Sequence, residues 1–214
     1  MIKHMNNIYT IFSPGRTGSH VILEMLAGTP LLKGGLADAY GLWLPLNEKE
    51  CQQYIKDQNV VIHLHNINLI RALDPTTIIL IISLRRDVFA QTMSLIVAEL
   101  VNEWSGKDYS NKIVESVVFD KLKFVNRAEL FLRFLNWPNT LDLFKYKKVI
   151  TIYYEDLIDQ GEEFLANNLN LEYVQSKVGH VYQQSPYSYK DIILNWEELY
   201  QEYLKITNNK FQIL

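Results

Sequence analysis

The chain has little of what is typical of a secreted, membrane-spanning or nucleic-acid-binding protein. One cysteine, Cys51, occurs in 214 residues, which excludes an intrachain disulfide framework and fits a reducing compartment. Lysine and arginine number 21 against 24 aspartate and glutamate residues, a net charge of −3, so no basic surface for nucleic acid is predicted. No apolar run reaches membrane-spanning length, and MIKHMNN leads directly into a short strand rather than a signal peptide. We therefore expect a cytoplasmic globular protein without a membrane span or a nucleic-acid partner.

Short apolar runs alternate with helical patterns along the sequence. The strand-like runs are residues 8–12, 60–65, 77–84 and 149–154. The helical patterns begin near residues 20, 88, 119 and 162 and again in the tail. Strands separated by helices predict parallel βαβ units with right-handed crossovers. We expect an α/β three-layer sandwich around a mainly parallel sheet of about four or five strands, in a single domain over residues 1–214.

Polar residues follow each of these predicted strands. They are residues 13–19, 63–66, 85–87 and 155–156. In open parallel sheets, ligands bind beyond the carboxyl ends of the strands. The sequence therefore predicts that these segments contribute to one site, although they are far apart in the chain.

The segment SPGRTGS, residues 13–19, connects the first predicted strand to the first helix. Gly15 and Gly18 permit backbone conformations that side chains disfavour and allow close approach of a ligand. The helix start directs N–H groups and the positive end of its dipole toward the segment. Arg16 adds a positive charge, and three hydroxyls flank it: Ser13, Thr17 and Ser19. These features predict a phosphate or sulfate site; an ordinary strand-to-helix turn with a surface arginine is the alternative.

The loop differs from the one that binds nucleoside triphosphates, which reads G-x-x-x-x-G-K-[ST]. Ser19 follows Gly18 directly, and the positive charge precedes that glycine as Arg16. No later strand ends in an obvious magnesium-binding aspartate; Glu155 and Asp156 come closest. The pattern favours an anion site without a metal.

Three segments resemble the motifs of sulfotransferases that use 3'-phosphoadenosine 5'-phosphosulfate (PAPS). SPGRTGSHVILEML resembles their phosphosulfate loop, P-[KR]-[ST]-G-[ST]-[ST]. LIISLRRDVFAQTMSL, with Ser94 eight residues after Arg86, resembles their 3'-phosphate signature and is especially similar to bacterial sulfotransferases of the trehalose-sulfating type. VITIYYEDLI resembles a strand and Y-E-D-L segment that follows in the same family. The resemblance implies a P-loop NTPase-like sulfotransferase fold, PAPS as donor, 3',5'-adenosine bisphosphate (PAP) as product, and no metal.

The resemblance also implies which residues hold the donor. The loop would contribute Pro14, Gly15, Arg16, Thr17, Gly18, Ser19 and His20. Arg86 and Ser94 would bind the 3'-phosphate, and Lys190 in SPYSYKD is a further candidate contact. Two positions depart from the family: Gly15 adds a residue between Pro14 and Arg16, and His20 stands where relatives carry a hydroxyl.

The implied reaction moves a sulfuryl group to a hydroxyl of a sugar, lipid or other small acceptor. Arg16 would stabilise the leaving oxygen, and a base would take the acceptor's proton. VVIHLH partly resembles a K-x-H-L segment with a catalytic histidine, although the lysine is absent and either His63 or His65 could be the equivalent. His65 is preferred because it lies nearer the carboxyl end of the predicted strand. Trehalose-type relatives use a glutamate beyond the loop, where this chain has Asp38. The alternatives are an atypical nucleotide kinase and a non-catalytic PAPS- or PAP-binding protein; the acceptor and the oligomeric state are not predicted.

Overall fold

The computed structural model describes residues 8–27, 60–64, 70, 73–101, 115–140, 142–169 and 188–211. The chain divides into two compact units. Unit 1 contains Met1–Arg85 and Pro138–Val181, and unit 2 contains Arg86–Trp137 and Tyr182–Leu214. The single domain over residues 1–214 stays a prediction.

Unit 1 contains a four-stranded parallel sheet in the order β2-β1-β3-β4. The strands are β1 (Ile8–Phe12), β2 (Val60–Leu64), β3 (Ile78–Leu84) and β4 (Lys148–Tyr153). Their β-branched and aromatic residues suit a pleated, buried surface, and every residue of β1 and β3 is buried, as expected of central parallel strands. The predicted α/β class with a parallel sheet is confirmed, and each strand lies within one residue of its predicted bounds.

Helices separate and follow these strands in the described part of the chain. They are α1 (Ser19–Ala27), α2 (Val88–Val101), α3 (Lys121–Asn136), α4 (Tyr154–Leu169), α5 (Tyr189–Ile192) and α6 (Trp196–Phe211). Short 3₁₀ turns cover Pro75–Thr77, Trp137–Thr140 and Leu143–Lys145. The sequence predicts a helix only from near residue 162, whereas α4 begins at Tyr154. The difference arises at Gly161, whose φ of 71° and ψ of −166° interrupt α4.

In unit 1, α1 and α4 pack in one apolar cluster with alternate residues of three strands. The strand members are Tyr9, Ile11, Ile79, Ile81, Ile150 and Ile152. The helix members are Ile22, Leu23, Leu26, Leu157, Leu165, Ala166 and Leu169. Alternate strand residues share one face of a sheet, so both helices cover the same face. This arrangement places the start of α1 and the start of α4 on one side of the sheet's carboxyl edge.

Unit 2 is built from α2, α3, α5 and α6 around an aromatic and aliphatic core. Phe89 lies at its centre, with ring centroids 5.8 Å from Phe124, 5.8 Å from Tyr189 and 5.0 Å from Tyr200. The Asn195 side chain extends the packing with two hydrogen bonds to the Phe119 backbone: its Oδ1 accepts from the N–H at 2.9 Å, and its Nδ2 donates to the carbonyl at 3.0 Å. The Asn195 amide therefore satisfies both backbone hydrogen-bonding groups of Phe119, which lies outside the strands of the sheet.

Candidate functional site

The sheet topology identifies one edge of unit 1 as the place for a ligand. The strand β1 pairs with β2 on one side and with β3 on the other. The chain therefore passes from β1 to β2 on one side, and then crosses back to form β3 on the other side of β1. Ligands of open α/β sheets bind at such a switch point, beyond the carboxyl ends of the strands. Residues 13–19, which follow β1, and Arg85, which follows β3, occupy that edge.

The backbone of residues 13–19 adopts unusual conformations. Gly15 and Gly18 have φ values of 92° and 72°. Arg16 has a φ of 57° and is the only residue other than glycine with positive φ in the described part of the chain. This conformation costs an ordinary L-residue about 1–2 kcal/mol, and such strain concentrates at ligand sites. Changes of φ sign along a loop also produce concave arrays of N–H groups that bind anions.

Hydroxyl groups hold the loop in this shape. Ser13 Oγ donates to Ser19 Oγ at 3.1 Å. Ser83 Oγ, on β3, donates to the Thr17 carbonyl oxygen at 2.9 Å and lies 3.0 Å from Thr17 Oγ1. All four residues are at least 97% buried. The Thr17 hydroxyl is thus engaged inside unit 1, whereas Ser19 accepts its bond and can donate its own proton to an anion.

The two loop glycines have different surroundings. A Cβ placed on Gly18 would lie 2.9 Å from Tyr154 Cδ2 and 3.5 Å from Leu157 Cδ2. Tyr154 and Leu157 are three residues apart on α4, so they share one helix face. A Cβ on Gly15 would meet no described atom within 4 Å. Gly18 is therefore required for packing against α4, whereas no described residue packs against the Cβ position of Gly15.

Arg85 lies against the same tyrosine. Its Cζ is 4.6 Å from the centroid of the Tyr154 ring, and its Nε is buried without a hydrogen-bond partner among the described residues. Arg85 belongs to the segment 85–87 that the sequence predicts to contribute to the site, whereas Ser83 and Tyr154 are not predicted from the sequence. The Y-x-x-L spacing in YEDL is a sequence signal for Tyr154, because it puts Tyr154 and Leu157 on one helix face.

The residues expected to bind the 3'-phosphate lie just before α2 and in its second turn, in unit 2. Arg86 is exposed, and its carbonyl oxygen accepts from Val88 N–H at 3.0 Å. Asp87 caps the helix, since its Oδ1 accepts from Ala90 N–H at 2.8 Å. Ser94 is half-buried, two turns into the helix. Arg86 thus belongs to a capped helix start, where the dipole also favours an anion.

Lys190 belongs to α5, which packs beside this helix start. The ring of Tyr189 contacts Phe89 in the first turn of α2. Burial raises the pKa of Tyr189, and the Asp87 carboxylate raises it further. The Lys190 ammonium itself lies 4.5 Å from the centroid of the Trp196 ring. The structure therefore brings the segment containing Lys190 close to the Asp87 end of α2.

Two of the three candidate bases, His65 and Asp38, lie outside the described residues. The third, His63, is described by its strand position alone: its Cα pairs with Ile11. The strand β2 ends at Leu64, which pairs with Phe12 immediately before the loop. The choice among the three residues stays a prediction.

Comparisons with known proteins give no family for this chain. No protein-family model matches it, and no curated protein matches it with significance. Of the helices in the described ranges, none is long and apolar enough to cross a membrane.

Proposed function

We propose that this protein is a PAPS-dependent sulfotransferase that moves a sulfuryl group to a hydroxyl of a sugar, lipid or other small acceptor. The observation that carries the proposal is the SPGRTGS loop. It combines a strained Arg16, a helix start and a fixed set of hydroxyls at the sheet's switch point. This combination suits a tetrahedral oxyanion, and the motif order along the sequence selects a phosphosulfate.

Each loop residue has a distinct part in this proposal. The N–H groups at the start of α1 and the Ser19 hydroxyl donate to the phosphosulfate oxygens. The space beside Gly15 admits the anion. His20 is half-buried in the first turn of α1, where the family has a hydroxyl. Arg86 and Ser94 bind the 3'-phosphate, with Lys190 as a further contact.

The reaction is an in-line displacement at sulfur. The acceptor oxygen forms a new bond to sulfur while the bond from sulfur to the bridging oxygen breaks. The electron pair of that bond leaves on the 5'-phosphate of PAP, and Arg16 with the helix start stabilises the developing charge. The acceptor's proton passes to a base, for which His65 is preferred over Asp38 and His63. The protein's contribution is mainly positioning and charge stabilisation, as in phosphoryl transfer.

Calorimetry with PAP and with magnesium ATP tests the donor. We expect PAP to bind without magnesium, and Arg16→Ala to weaken that binding by about tenfold or more through loss of a charge-assisted hydrogen bond. Arg133→Ala is the control, since Arg133 is an exposed residue of α3 in unit 2. Binding of ATP only with magnesium, and none of PAP, would support a kinase instead.

Turnover is tested separately with sulfur-labelled PAPS and a panel of hydroxyl-bearing sugars, lipids and phenols. The proposal predicts transfer of label to at least one acceptor class. It also predicts that His65→Ala keeps PAP affinity but loses about 100-fold in turnover. Tight PAP binding without transfer to any acceptor would instead indicate a non-catalytic binding protein of the same fold.

A further inference from the structure

Arg85 is a cation that the proposed roles leave unused. It is half-buried at the end of β3, directly before the arginine assigned to the 3'-phosphate. Its Nε is buried and lacks a hydrogen-bond partner, and within the described residues it forms no ion pair. A guanidinium keeps its charge in any protein environment. Partial burial of that charge without an acceptor is costly, and an oxyanion ligand would supply the missing acceptor.

Tyr154 connects this cation to the anion loop. The Tyr154 ring makes two contacts: it packs against Gly18, and the Arg85 guanidinium stacks over it. Gly18 is fixed in turn by the start of α1, because its carbonyl oxygen accepts from Val21 N–H at 2.9 Å. A guanidinium on an aromatic ring keeps N–H donors along its edge for an oxyanion. The stacked arginine is thus held beside the loop with donors still available.

We propose that Arg85 is a second cation of the loop site, which binds the oxyanion held by residues 13–19. Building on the proposed function, that oxyanion is the 5'-phosphosulfate end of the donor. The two adjacent arginines then have different partners: Arg85 binds at the 5' end, and Arg86 binds the 3'-phosphate. Tyr154 is a positioning residue, which acts by holding the Arg85 guanidinium.

Calorimetry with two nucleotides separates these roles. PAP carries both phosphates, whereas adenosine 3'-monophosphate lacks the 5' group. We expect Arg85→Ala to weaken PAP binding by about tenfold to a hundredfold and to leave binding of the 3'-monophosphate unchanged. Arg86→Ala should weaken binding of both nucleotides. Arg85→Met is a second variant, which keeps the apolar stem on the Tyr154 ring and removes only the charge.

The outcomes distinguish the inference from the function on which it rests. If wild-type protein binds PAP and both Arg85 variants match it, Arg85 has no such role while the donor proposal stands. If Arg85→Ala weakens the binding of both nucleotides equally, the assignment of Arg85 to the 5' end is wrong. If wild-type protein does not bind PAP, the proposed donor and the role of Arg85 both fail.

Tyr154 is tested by conservative rescue. Tyr154→Phe keeps the ring under Arg85, so we expect wild-type affinity for PAP. Tyr154→Leu removes the ring, and we expect a loss in PAP affinity close to that of Arg85→Ala, with no change for the 3'-monophosphate. Equal affinities in the Phe and Leu variants would overturn the positioning role. The selective effect on PAP is a readout that a purely structural role would not give.

Discussion

Ser83 on β3 and Thr17 in the anion loop, 66 residues apart in sequence, are joined by a buried contact in which Ser83 Oγ lies 2.9 Å from the Thr17 carbonyl oxygen. Ser83 also lies 3.0 Å from the Thr17 hydroxyl. Both residues are excluded from solvent, so water cannot replace either bond. The central strand therefore supports the loop through one side-chain oxygen.

Ser83→Ala should destabilise the protein and loosen the loop. Removing this hydroxyl leaves a buried carbonyl without its partner, which costs about 1–3 kcal/mol. We expect a lower free energy of unfolding in urea and weaker PAP binding. Thr17→Val and the double variant complete a cycle, in which non-additive effects measure the coupling of the two residues. Strict additivity would mean that the contact between the two hydroxyls contributes nothing to stability, because valine keeps the Thr17 carbonyl.

Substitutions at Arg16 should separate backbone strain from ligand binding. Arg16→Ala and Arg16→Gly both lack the cationic side chain, but only glycine adopts the φ of 57° without steric cost. We expect Arg16→Gly to be more stable than Arg16→Ala by about 1 kcal/mol. Both variants should bind PAP equally weakly. Chemical denaturation and calorimetry provide the two readouts, and equal stabilities would show that the left-handed conformation is relaxed in the variants.

The two loop glycines should respond differently to alanine. Both have positive φ, so both substitutions carry a conformational cost. Gly18→Ala adds a clash with the Tyr154 ring, and overpacking of this kind typically costs about 1–3 kcal/mol. We expect Gly18→Ala to have the lower melting temperature of the two variants. A larger loss in Gly15→Ala would contradict the assignment of Gly18 to packing.

The Asp87 carboxylate should affect the titration of two tyrosines in unit 2. Burial first, and then Asp87, raises the pKa of both Tyr189 and Tyr203. Asp87→Asn should lower both pKa values while the asparagine keeps the helix cap. NMR titration of labelled tyrosine measures the shift. If neither pKa changes, the Asp87 charge does not contribute to the raised pKa of either tyrosine.

The same shifts predict instability at alkaline pH. A folded-state pKa raised above the unfolded value of about 10 means that the folded state retains the proton more strongly. The associated stability is complete below pH 10 and is lost as the pH rises beyond it. Tyr189→Phe should reduce this loss, since phenylalanine does not titrate. Free energies of unfolding across the alkaline range measure the effect.

Several features follow from local sequence alone. The strand β3 is predictable from IILIISL, because a short, continuous apolar run rich in β-branched isoleucine is typical of a strand buried on both faces. The loop is predictable from its glycines between a strand and a helix, and positive φ values occur at Gly15 and Gly18. Short-range sterics and periodicity determine these features, and each signal lies within about ten residues of chain.

The tertiary structure decided how distant segments meet. The sequence marks hydroxyls and glycines in the loop, but it does not indicate that Ser83 would fix Thr17 or that Tyr154 would fill the space beside Gly18. These contacts depend on strand order and on α1 and α4 covering one face of the sheet. The sequence does not distinguish the roles of the adjacent residues Arg85 and Arg86. The fold does, because it packs the Arg85 side chain against the Tyr154 ring. Local propensity determined the elements, and the packing of residues far apart in the chain determined which side chains became the site.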